Sequence, residues 1–62
     1  MSANKVYIKY QIQGVSSSIT ESFAVTRQND AKELVESKYN GKKVMFLNVV
    51  GPTMTPPAWF HD

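Results

Sequence analysis

Catalysis by a short chain needs a base, a nucleophile or a metal-binding group with partners in reach, and this chain offers few such residues. The single histidine, His61, stands beside Asp62. One imidazole and one carboxylate are two metal ligands, and two do not complete a site, so His61 is read as a solvated side chain and no metal centre is expected. Ser16, Ser17 and Ser18 are hydroxyls with no base in the local pattern, and a run of that kind suits a turn. The glutamates are Glu21, Glu33 and Glu36; the last two fall on a helix face where carboxylates are ordinarily solvated. Gly14, Gly41 and Gly51 are isolated, so no phosphate-cradling loop is present and no cofactor is expected. A chain of 62 residues also has little room for a concave pocket. The inventory points away from an enzyme.

Binding chemistry is better supplied. Lys5, Tyr7 and Lys9 alternate, and Lys42 and Lys43 follow a predicted helix end near Lys38. An aromatic ring on an open sheet stacks an unpaired base while lysines reach phosphates, so Tyr7, Lys9, Lys42 and Lys43 define a single-stranded nucleic-acid reading. The same lysines also serve as edge protection and as partners of a helix dipole, and a net charge of +2 is a weak electrostatic footprint. The favoured reading is docking on a protein, with Tyr7, Lys9, Met45, Leu47, Trp59 and Phe60 as contact residues, because aromatic anchors dominate interface energetics.

These residues must be positioned by a very small fold. Hydrophobic residues at 42% against 19% charged put the chain on the folded side, and its length allows one domain. Lys5 to Gln13 alternates, with Val6, Ile8, Tyr10 and Ile12 on one side and Tyr7, Lys9 and Gln11 on the other, which predicts a half-buried strand. Gly14 and the serines predict a hairpin turn into a second strand over Ile19 to Arg27, with a bulge as an alternative register. Ala31, Leu34, Val35 and Tyr39 recur at helical spacing. Asp30 with Glu33 reads as a capping box, Lys38 suits the last turn, and Asn40-Gly41 supplies the stop. Lys43 to Val50 predicts a third strand, apolar on both faces except at Asn48.

The predicted fold is therefore α+β, a ββαβ two-layer sandwich: a three-stranded antiparallel sheet of order 2-1-3, with one helix on one face. Residues 1–50 form the domain, and residues 51–62 a Pro-rich aromatic tail holding all three prolines with Trp59 and Phe60. If Val44, Phe46 and Val50 face the helix, Met45, Leu47 and Val49 face outward beside Tyr7; the other register exchanges the sets. Either way apolar surface is left over, and water-exposed patches of that kind are usually covered. Three coverings are open: the tail folding back through Met54, Trp59 and Phe60, a second copy forming a homodimer at the third strand, or a different protein.

The segments NKVYIKYQIQG, ITESFAVT, DAKELVESKY and GKKVMFLNVV resemble, over residues 5–50, the small ββαβ proteins encoded by bacteriophages and mobile elements, among them a phage inhibitor of host RNA polymerase and anti-CRISPR proteins. The resemblance rests on element order, a helix of the form DAxxLVxxxY and the Gly-Lys-Lys approach to the last strand. It implies a non-enzymatic protein that docks on a larger host protein or complex, and it transfers no residue roles. Mild positive charge argues against DNA mimicry. The lack of cysteine suits a reducing cytoplasm, the host's if the chain is phage-encoded. No apolar run reaches a membrane span, and Met1 to Lys9 lacks a signal-peptide core, so neither membrane association nor export by that route is expected.

Overall fold

The computed structural model describes residues 4–60. The elements follow the order β1 (Lys5–Ile12), β2 (Ser18–Phe23), α1 (Gln28–Lys38) and β3 (Val44–Thr53). Both strand pairs are antiparallel and the sheet order is β2-β1-β3, the ββαβ arrangement expected from the alternating pattern. The Cα frame measures 39 × 22 × 15 Å, a thickness with room for one sheet and one helix and no third layer.

The core lies between β1 and α1. Val6, Ile8, Tyr10 and Ile12 from alternate positions of β1 meet Ala31 and Val35, one helical turn apart, and Ile19, Phe23, Val25, Tyr39, Val44, Phe46 and Val49 close the periphery. Burying each large aliphatic side chain contributes roughly 1.5 to 3 kcal/mol, and a core this small leaves no spare layer. Leu34 shares the helical spacing of Ala31 and Val35 but not their burial. It is 48% exposed, because Ala31 and Val35 already occupy the line of contact and Leu34 lies a third of a turn away.

Local boundaries differ from expectation in three places. First, α1 begins at Gln28, with Arg27 as an extended N-cap residue (φ −134°, ψ 142°) and no side-chain cap. Asp30 sits in the first turn, where it favours the positive helix end without closing a capping box. The Gln28 side-chain amide donates to the Gly51 carbonyl at 2.7 Å and ties the helix start to the sheet. Second, β2 stops at Phe23, short of Arg27. Val25 still packs on the core and donates its N–H to the Phe23 carbonyl at 2.9 Å. Third, β3 does not stop at Val50. It continues through Gly51 and Pro52 to Thr53, which pairs with Lys5, so the tail begins later than residue 51.

Two irregularities in β3 decide which residues face which way. Tyr10 pairs with Phe46 and Lys9 with Asn48, leaving Leu47 as an extra residue between them. This bulge resets the alternation, since paired residues share a face. Val49, opposite Ile8, therefore faces the helix, and Val50, opposite Tyr7, faces away. The sequence registers assumed unbroken alternation and put Val44, Phe46 and Val50 together; the inward set is Val44, Phe46 and Val49. The second irregularity sets Gly51 and Pro52 against Val6, between the pairs Lys5↔Thr53 and Tyr7↔Val50.

Candidate binding face and tail

The sheet face opposite α1 carries Tyr7, Lys9 and Gln11 on the central strand. Their partners are Ser22, Thr20 and Ser18 on β2 and Val50, Asn48 and Met45 on β3. The β2 side of this face is hydroxyl-rich, while the β3 side is apolar at both ends. Met45 is 42% exposed and Leu47, at the bulge, 51%. No charged residue occurs anywhere in β3.

Tyr7 has a different environment from its strand neighbours. A tyrosine at the centre of an uncovered sheet face would stand in water, yet Tyr7 is only 5% exposed. The tail accounts for this: the Phe60 ring meets the Tyr7 ring edge to face, with centroids 4.8 Å apart and planes at 69°. Such pairs add roughly 0.5 to 1.5 kcal/mol beyond their area. Trp59 and Phe60 are both half-buried, and Met54, nearer the strand, is 60% exposed. Among the three coverings left open by the sequence, the tail occupies the Tyr7 end of the face and leaves Met45 and Leu47 outside.

The expected contact residues thus fall into two groups. Tyr7 and Phe60 form an aromatic pair already packed together, with half-buried Trp59 next to Phe60 in the chain, whereas Met45 and Leu47 form an exposed strip on an edge strand. Half-buried Lys9 lies between them, opposite Thr20 and Asn48. The nucleic-acid set is dispersed. Lys42 and Lys43 are exposed just before β3, where the Lys43 carbonyl accepts from the Gln13 N–H at 2.9 Å. Gln13 is six residues along from Tyr7, about 20 Å of extended strand, and the face of Tyr7 is taken by Phe60. His61 lies outside the described residues.

One functional-looking cluster was not assembled from the sequence. Glu21 projects to the helix side of β2, between Ile19 and Phe23, and accepts hydrogen bonds from the buried Tyr10 hydroxyl and from Lys38 Nζ, the latter at 2.7 Å. Tyr39 hydrogen bonds with Tyr10 at 3.3 Å, its ring tilted against Tyr10 at 5.8 Å. Burial, then the Glu21 hydrogen bond, pushes the Tyr10 phenol well above its ordinary value. Burial pushes the Glu21 carboxyl up, but the hydrogen bonds from Lys38 and Tyr10 outweigh it and hold the group below its ordinary value. Its hydrogen bond to Glu21 raises Lys38. The signal was visible: in Ile-Thr-Glu-Ser-Phe the alternation sets a carboxylate on the apolar side of a strand, which requires partners there.

This cluster joins the helix end to the sheet. The groove on the outer side of α1 is lined by Glu33, Glu36, Ser37 and Asn40, two carboxylates beside a hydroxyl and an amide. Among the described residues no three His, Cys, Asp or Glu side chains converge as a metal site would require. No helix among them is long and apolar enough to cross a membrane. Comparison with protein-family models, with curated proteins and with solved structures finds no match to this chain.

Proposed function

We propose that this chain is a non-enzymatic protein-binding module that docks on a larger host protein or complex and modulates it, as do the phage and mobile-element ββαβ proteins its element pattern resembles. The supporting observation is the strip Met45 and Leu47, about half exposed on an uncharged edge strand. Edge strands in proteins that stay alone usually carry charge there, and an apolar strip without it is suited to burial against a partner. The aromatic tail extends the same face. A cytoplasmic setting, in the host if the chain is phage-encoded, fits a chain without cysteine.

Single-stranded nucleic-acid binding is the second reading. It draws less support, because Phe60 lies against Tyr7 and about 20 Å of strand separates that ring from Lys42 and Lys43.

Affinity capture from the native host, comparing the wild-type chain with Met45→Lys/Leu47→Lys, tests the docking reading. Both positions are exposed, so the fold tolerates the changes. The expected result is a partner retained by the wild-type chain and by Leu34→Lys, a control on the exposed helix, and lost with the double variant. Identical capture by all three would refute the assignment of the strip.

A further inference from the structure

We propose that the open sheet face centred on Tyr7 is a receptor for an aromatic side chain presented by a proline-turned segment of a partner protein, and that residues 54–60 are its resident occupant in the free chain. The proposal rests on the docking reading for its biological context, and it adds what that reading leaves open, the chemistry of the partner and the means of regulation.

The site and a ligand for it are both present in one chain. Tyr7 sits on the central strand, flanked across the sheet by Ser22 and Val50 and along the strand by Lys5 and Lys9. Small or outward-reaching neighbours leave its ring as the raised apolar feature of that end of the face. Phe60 meets it in the edge-to-face geometry that aromatic pairs prefer, and the ring is buried as a result. The occupant therefore reveals the preference of the site: a phenylalanine, next to a tryptophan, delivered just after Pro56-Pro57.

The way the tail is held makes it replaceable. β3 ends at Thr53. Beyond it, two local hydrogen bonds shape the segment: the Thr55 N–H to Thr53 Oγ1 at 3.2 Å and the Phe60 N–H to the Pro57 carbonyl at 3.0 Å. These bonds fold the tail on itself, and the aromatic contact seats it on the sheet. The prolines reduce the freedom lost on seating. A tether of a few residues gives an effective concentration in the millimolar range, so the tail holds the site against weak competitors. A partner offering the same aromatic contact, with further burial on the Met45 and Leu47 strip, displaces it.

A fluorescently labelled synthetic peptide spanning residues 53–62, titrated into full-length protein, provides the test. Phe60→Ala empties the site in an otherwise intact chain, whose fold is checked by circular dichroism. The expected result is saturable binding of the peptide to Phe60→Ala, at least about tenfold weaker binding to the wild-type chain whose own tail competes, and loss of binding when the peptide's phenylalanine is replaced by alanine. That last arm needs no further change in the protein, so it stays decisive if substitution of Tyr7 impairs folding. Absence of binding to folded Phe60→Ala at about 1 mM peptide, equal binding to wild type, or indifference to the peptide's phenylalanine would each overturn the proposal. Host capture lost on Met45→Lys/Leu47→Lys alongside a negative titration would leave the docking reading standing without this one, and the converse pair of results would do the opposite.

Discussion

At Gly51 the backbone takes φ +117°, and a Cβ there would stand 2.6 Å from the Lys5 carbonyl oxygen and 3.1 Å from Val6 Cα. Both are backbone neighbours that cannot swing aside. Gly51→Ala is therefore expected to cost roughly 2 to 4 kcal/mol, combining the unfavourable φ with a clash. Gly14→Ala, at φ +91° with open space around it, carries only the conformational penalty, about 1 kcal/mol. Urea denaturation of the two variants checks the ranking. Glu21 gives a second residue-level prediction. Its carboxyl is held below its ordinary value in the fold, so the unfolded chain binds a proton more readily. The stabilisation is complete above the unfolded value and fades as pH falls through the folded one. Glu21→Gln should lower stability near neutral pH and flatten its decline in acid; an unchanged acid limb would contradict the direction given. Tyr10→Phe, which removes the hydroxyl from this cluster, is expected to cost roughly 1 to 2 kcal/mol.

At the scale of elements, the bulge at Leu47 makes an unusual prediction. Leu47 is the residue without a partner in β1, so deleting it leaves Phe46, Asn48, Val49 and Val50 with their present partners in regular alternation. The deletion should fold with stability within about 1 kcal/mol of wild type. Deleting Val49 instead removes an inward residue and should be far more damaging. Thermal denaturation distinguishes them. The strands, the helix and the order 2-1-3 were legible in the sequence because Val6, Ile8, Tyr10 and Ile12 keep a period of two, and Ala31 and Val35 stand one turn apart. The bulge was not, since Met45, Leu47, Val49 and Val50 are all apolar and Asn48, the one polar residue among them, does not by itself locate an extra residue. The capping box failed for another reason. Asp30 and Glu33 have the right spacing, but Gln28 reaches Gly51 across the fold, a long-range contact that local spacing does not encode.

For the whole molecule, one thin core carries the fold. Ile8→Ala, at a fully buried position beneath α1, should cost about 2 to 5 kcal/mol, enough to unfold much of a domain this small. Of the candidate face, the positions of Tyr7 and Lys9 were readable from alternation, whereas the seating of Phe60 on Tyr7 depends on a tail without periodicity. We expect the strip left outside that tail to support a homodimer through β3 at high concentration, seen by sedimentation equilibrium as a dimer at about 100 μM that Leu47→Lys dissociates. The central claim, that the chain works by docking its β3 face on a host protein, is tested most directly by a photo-cross-linking residue placed at position 47 and, as a control, at position 34, with cross-linking carried out in host cells. The account predicts a covalent adduct to one host protein from position 47 and none from position 34. Adducts to that protein from position 34 alone, or none from position 47, would contradict it.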